Sequence, residues 1–74
     1  MPELPVVSGQ RCIAALGHLG YQVARTRGSH VRLRCPGRKP VTVPLHDELD
    51  RGTLRAILRS IGVSVDEFIR LLKV

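Results

Sequence analysis

Residues 26–34 read Thr-Arg-Gly-Ser-His-Val-Arg-Leu-Arg, and this stretch decides how the rest of the chain is interpreted. Its glycine predicts a tight turn, and a segment of alternating residue types follows directly. Side chains of a strand point alternately to its two faces, so Val31 and Leu33 share an apolar face. The opposite face carries His30, Arg32 and Arg34. The segment therefore predicts a strand with one side in a core and, on the other, a titratable histidine beside permanent cations that can hold an anion such as phosphate.

Composition limits the size of the domain and the kind of partner. The chain has 74 residues, 43% of them hydrophobic, which predicts one small domain over residues 1–74. It carries 12 basic and 6 acidic residues, for a net charge of +6. This charge favours a polyanion or an acidic protein as partner over a small neutral ligand. The aromatic residues are Tyr21 and Phe68, which argues against a platform on which several bases stack.

The two cysteines give no sign of a metal or disulfide framework. Cys12 lies in an apolar helical stripe and Cys35 continues the apolar face of the strand, without the spacing of a zinc site. We interpret both as reduced core residues. The sequence shows neither a signal peptide nor an apolar run long enough to cross a membrane. We therefore expect a cytoplasmic protein that makes no membrane contact.

The periodicities along the chain predict the order α-β-β-β-α-α. A lead-in over residues 1–7 precedes a helix at 9–19, with Ser8 as its N-cap. Strands are predicted at residues 21–27, 29–35 and 41–43, and further helices at 51–61 and from 65 onwards. This order predicts an α+β fold in which helices cover one face of a three-stranded antiparallel sheet and leave the other free. The predicted core comprises Cys12, Ile13, Leu16, Val31, Leu33, Val41, Leu54, Ile57 and Leu58.

The facing of the first strand is ambiguous. Tyr21 and Val23 suit the core, but regular alternation would bury Arg25 and Arg27 with them. A β-bulge, or a strand that leaves the sheet early, would resolve the conflict.

Short motifs occur along nearly the whole chain in a specific order. They are Leu-Pro-Val-Val-Ser-Gly at 4–9, Leu-Gly-Tyr at 19–21, Arg-Thr-Arg-Gly-Ser-His at 25–30, Val-Thr-Val-Pro-Leu-His at 41–46, Gly-Thr-Leu-Arg-Ala-Ile-Leu at 52–58, Gly-Val-Ser at 62–64 and Glu-Phe at 67–68. In this combination the chain resembles the HicA family of small mRNA-cleaving toxins. Arg51 departs from the family, which often has proline there, and this should affect only how the helix begins.

The resemblance implies a fold like that of double-stranded-RNA-binding domains. It also implies cleavage of RNA without a metal or other cofactor, and neutralisation by a partner antitoxin of the HicB type. The family's catalytic histidine corresponds to His30. We expect the antitoxin to be acidic and to cover the face that carries His30. RNA contacts are expected at Arg25, Gly28, Ser29, Arg32, Arg34 and Lys39.

Metal-independent RNA cleavage needs a base near the 2′-hydroxyl, an acid near the leaving 5′-oxygen and positive charge at the phosphate. His30 can perform one of the proton transfers, and we expect it to act as the base. Arg32 and Arg34, with Arg25 as a further candidate, would stabilise charge on the phosphate. The sequence identifies no group for the second proton transfer.

Other interpretations of the same residues stay open. His30 can be a surface histidine beside a turn, in an RNA-binding module that has this fold but no catalytic activity. The chain can also serve only to complete a complex whose partner binds DNA. His46, Asp47 and Glu48 contain metal-ligand types, but we interpret them as a solvated loop and expect no metal site.

Overall fold

The computed structural model describes residues 3–74. Its elements are α1 (Gly9–Gly17), β1 (Gln22–Arg27), β2 (His30–Arg34), β3 (Val41–Pro44), α2 (Arg51–Ile61) and α3 (Val65–Leu72). The strands form one antiparallel sheet in the order β1-β2-β3, which confirms the predicted α+β fold. Helix α1 ends two residues earlier than predicted because residues 18–20 form a turn. The predicted lead-in begins with Met1 and Pro2, which lie outside the described residues.

Local sequence sets where the three helices begin. Ser8, Asp50 and Ser64 are their N-caps, and each side chain accepts a hydrogen bond from the backbone N–H three residues further along, at 3.0–3.1 Å. This bond satisfies one of the N–H groups that a helix leaves without an internal partner. Gly62 ends α2 with φ of 72°, a conformation that favours glycine.

The helices lie on one face of the sheet. Helices α1 and α2 pack on β3, and α3 packs on α1. Val31 and Leu33 of β2 point into this core, with 4% and 0% of their surface exposed. Of the predicted core residues, all are buried except Ile13, which is partly buried at the margin. The alternation in β2 thus separates a covered face from an open one, as predicted.

Strand β1 contains a β-bulge, which is one of the two alternatives that the sequence left open. Val23 pairs with Leu33 and Arg25 pairs with Arg32, which are consecutive in β2 in reverse order, so Ala24 is an extra residue of β1 without a partner of its own. A bulge changes the facing of the residues that follow it relative to regular alternation. The conflict found in the sequence is resolved here.

The bulge puts Arg25 and Arg27 on the open face and leaves Val23 on the covered side. Val23 suits the core by residue type, but 55% of its surface is exposed. Strand β1 is exposed along its whole length, since the helices pack over β3 at the other edge of the sheet. Tyr21, just before β1, is buried, and its hydroxyl donates to the carbonyl of Lys39 at 2.8 Å.

A close crossing joins the start of α1 to the loop after β3. The Gly9 N–H donates to the carbonyl of His46 at 2.9 Å, and a Cβ at residue 9 would overlap the carbonyl oxygen of Pro44. From the same loop, the Leu45 N–H donates to the carbonyl of Ser29 at 2.6 Å. Because Ser29 precedes β2, this network connects the helix layer to the turn in front of His30.

Both cysteines are free thiols. Cys12 is fully buried, and burial raises the pKa of its thiol to about 11. Cys35 is partly buried, with Sγ 3.6 Å from the carbonyl oxygen of Leu19. None of the helices in residues 3–74 has the length and apolar composition that a membrane crossing requires.

Candidate active site

The turn at residues 28–29 fixes the position of His30. Gly28 has φ of 60° and Ser29 has no positive φ, the pattern of a type II′ hairpin turn. His30 is the first residue of β2 and lies between two partners, Arg27 of β1 and Pro44 of β3. Its backbone is therefore held by strands on both sides, which orients a side chain more reproducibly than a loop does.

The open face forms a shallow groove of about 430 Å³. Its lining residues are Ala24, Arg25, Arg27, His30, Arg32, Arg34 and Thr42. The imidazole is exposed and so are the four arginines around it. Arg32 Nη1 donates to Thr42 Oγ1 at 3.1 Å, which holds this guanidinium over the sheet. The groove thus combines one group able to transfer a proton with several that bind anions.

The basic side chains of the groove and His30 face one another across the strands. Arg25 lies opposite Arg32, and Arg27 lies opposite His30. Side chains at such positions have Cβ atoms about 4.5–5.5 Å apart, and like charges there are destabilising. None of the residues that line the groove is acidic. A bound anion would relieve the repulsion, so the arrangement suits a phosphate.

Most of the site residues predicted from the sequence come together. Arg25, His30, Arg32 and Arg34 line the groove, and Gly28 with Ser29 forms the turn next to it. Lys39 does not line the groove. It lies in the turn between β2 and β3, where it borders a second depression together with Arg38 and Arg59 near the end of α2.

The prediction of site residues omitted Arg27 and Thr42. Arg27 was recoverable, because the residues that flank a two-residue hairpin turn pair with each other, here Arg27 with His30. Thr42 lies between the apolar Val41 and Val43, so alternation alone places it on the open face.

The loop after β3 exposes His46, Asp47 and Glu48. Within residues 3–74, no group of three or more His, Cys, Asp and Glu side chains is arranged so that it could hold a metal ion. His46 accepts the hydrogen bond from the Gly9 N–H through its backbone carbonyl, so this bond does not involve the imidazole.

Comparison with known proteins identifies the family. The model of a family described as HicA toxin of bacterial toxin–antitoxin matches residues 9–63. The match extends from the first residue of α1 through the sheet and α2, and so includes every residue that lines the groove. No curated protein and no solved structure matches the chain. The match over residues 9–63 covers well over half of the 74 residues. The chain therefore belongs to the HicA toxin family of bacterial toxin–antitoxin systems.

Proposed function

We propose that this toxin is an endoribonuclease that cleaves mRNA in the cytoplasm without a metal or other cofactor, with His30 as its catalytic residue. The observation that carries the proposal is the groove on the open face. It presents an exposed imidazole, fixed at the start of a strand, among four arginines and no carboxylate. Family membership independently makes the chain a toxin.

The proposed reaction uses the 2′-hydroxyl of the RNA as nucleophile. His30 removes its proton, the 2′-oxygen attacks the adjacent phosphorus, and the bond from phosphorus to the 5′-oxygen breaks. The leaving 5′-oxygen takes a proton from solvent water and His30 later returns its proton to the solvent, so the products are a 2′,3′-cyclic phosphate and a 5′-hydroxyl. Arg32, held by Thr42, and Arg25, opposite it on β1, would stabilise the additional negative charge on the phosphate oxygens.

The groove is also the proposed site of neutralisation. We infer that a HicB-type antitoxin covers the surface around His30 with an acidic segment. An acidic segment would pair with the arginines of the groove and would exclude RNA both sterically and electrostatically. The proposal rests on the exposure and uncompensated charge of the groove.

The test is cleavage of a labelled RNA by wild-type protein, His30→Ala and His30→Gln. Loss of the proton transfer should lower the rate by roughly 10²–10⁴-fold in both variants. Their thermal unfolding should match the wild type, because His30 is exposed. His18→Ala is the control, since His18 is exposed at the end of α1 and does not line the groove.

Two further measurements address the mechanism itself. RNA with a 2′-deoxyribose at the cleavage position should resist cleavage, and a chelator should not inhibit it. Full activity of His30→Gln, or loss of activity with the chelator, would contradict the mechanism. RNA that wild-type protein binds but does not cleave would favour a non-catalytic RNA-binding module instead.

A further inference from the structure

The groove at His30 is connected to two further depressions by shared arginines. Arg34 lines both the groove and a depression beside Cys35 and Pro36. Arg38 lines that depression and also the one that Lys39 and Arg59 border at the end of α2. We call this connected surface the cationic track. Its basic residues and its histidine are Arg25, Arg27, His30, Arg32, Arg34, Arg38, Lys39 and Arg59.

The track follows β2, with Arg25 and Arg27 of β1 beside it, and then continues along one turn. Alternate residues of β2 supply its first part at intervals of roughly 6.6 Å, so that His30 and Arg34 lie roughly 13 Å apart. The turn between β2 and β3 continues it towards the C-terminal end of α2. Arg38 Nη1 donates to the carbonyl of Ile61 at 3.4 Å, and Tyr21 holds the carbonyl of Lys39 from the other side. The far end of the track is therefore anchored to the rest of the fold.

Charge along the chain favours an anionic polymer on this surface. Residues 4–46 contain seven arginines and lysines and no aspartate or glutamate, whereas residues 47–74 contain five residues of each sign. None of the residues that line the three depressions is acidic. A polyanion that follows the track meets no opposing carboxylate there, and each phosphate contact releases condensed counterions.

We propose that the cationic track is the path of a single RNA strand, which passes from the groove over Arg34 and Arg38 to Lys39 and Arg59. This inference rests on the proposed function and adds the substrate class, an unpaired RNA segment of about five nucleotides or more. Beyond the groove the basic residues continue in one direction, from Arg34 over Arg38 to Lys39 and Arg59, which suits one backbone. Duplex-binding modules instead contact two minor grooves over about 16 base pairs.

A protein partner fits the far end of the track less well. The cores of protein interfaces are enriched in aromatic and apolar residues and depleted of charge. The large hydrophobic residues exposed in the described part of the chain are Val6, Val23, Leu45 and Val74. None of them lines the depressions that form the track.

The test compares two double variants with equal loss of charge. Lys39→Ala with Arg59→Ala removes the far end of the track. As the control, Arg70→Ala with Lys73→Ala removes two exposed cations at the C-terminal end of α3. Each is made together with His30→Ala so that the RNA stays intact during binding. The probes are oligouridylates of about 4 and about 12 nucleotides, titrated over a range of salt concentrations. A duplex of the longer length is measured in parallel.

With the longer strand, the first double variant should bind more weakly, and the slope of log K against log salt should become shallower by about 1.4, or 0.7 for each lost contact. The shorter strand, which fills only the groove, should bind both double variants equally. A first variant that binds the longer strand like the control would overturn the track. The track would also be overturned if the duplex binds as tightly as the single strand and loses as much affinity in the first double variant.

Two additional measurements separate this inference from the proposed function. Wild-type protein that cleaves RNA through His30, while the Lys39 and Arg59 variant binds long RNA normally, leaves the proposed function intact and refutes the track. Lys39→Ala with Arg59→Ala, made without His30→Ala, is also tested for neutralisation by the antitoxin. If RNA binding is unchanged and only neutralisation is lost, the far end of the track is an antitoxin surface and the inference is wrong.

Discussion

The two faces of β2 carry opposite kinds of residue on one backbone. Val31 and Leu33 are buried against the helices, whereas His30, Arg32 and Arg34 are exposed in a groove without a carboxylate. The covered face gains free energy from removing apolar surface from water. The open face places cations opposite one another, which costs stability. Neighbouring positions in sequence should therefore differ in whether a substitution changes folding or activity.

The largest expected effect on stability lies on the covered face. Leu33→Ala should lower the free energy of unfolding by about 2–5 kcal/mol, because Leu33 is fully buried and the change leaves a cavity. Urea denaturation measures the loss. Cleavage per folded molecule should stay close to wild type. If Leu33→Ala leaves the free energy of unfolding unchanged, the stated difference between the two faces of β2 is wrong.

Gly9 tests the point at which the two faces depend on each other. Gly9→Ala should cost about 1–3 kcal/mol, because the new methyl group overlaps the backbone at Pro44. Cleavage should fall as well, since the same loop is bonded to Ser29 in front of His30, the proposed catalytic residue. Gly17→Ala is the matched control: an added Cβ there meets nothing within 4 Å, and alanine should be neutral or stabilising by up to about 1 kcal/mol. Equal behaviour of the two variants would show that the crossing is not restrictive.

On the open face, Arg25→Thr should raise stability while it lowers activity. The substitution removes the like charge opposite Arg32 and introduces a residue that favours strands. The expected gain is about 0.2–1 kcal/mol, measured by urea denaturation, together with weaker RNA binding at low salt. Arg25→Lys keeps the repulsion and should leave stability near the wild-type value. A destabilised Arg25→Thr variant would mean that Arg25 supports the fold.

The smallest effect is expected at Asp50, the N-cap of α2, which does not line the groove. Hydrogen bonds from the Thr53 hydroxyl and N–H lower the pKa of Asp50. A carboxyl with a lower pKa in the folded state contributes stability above its unfolded pKa and loses it as the pH falls through the folded value. Asp50→Asn keeps a capping side chain but should lack this acid-dependent part. The stability difference between wild type and variant should therefore shrink in acid, with cleavage unchanged at neutral pH.

Sequence was sufficient where local rules determine the structure. Alternation separated the faces of β2, and glycine with cap residues set the limits of α2. It was insufficient where long-range packing decides. Val23 has the residue type of a core position, but its burial depends on where the helices lie over the sheet. Lys39 is close to β2 in sequence, yet its turn folds against the end of α2.

The site itself was predicted in part for the same reason. His30 and the arginines of β2 follow from alternation within one strand. Arg25 and Arg27 depend on a bulge at Ala24, a residue type that gives no signal for one. The sequence showed that regular alternation would bury Arg25 and Arg27, but it did not show how the backbone avoids this.

The bulge has a consequence for how the length of this hairpin can vary. Ala24 is the extra residue of β1, so its deletion would leave Val23 opposite Leu33 and Arg25 opposite Arg32 in a regular ladder. Arg25 and Arg27 would stay on the open face, and the main change would be a loss of local twist. A one-residue deletion usually turns over every later side chain of a strand. At this position the hairpin should instead tolerate the loss, which gives the toxin one place where the strand pair that carries His30 can change length without exchanging its two faces.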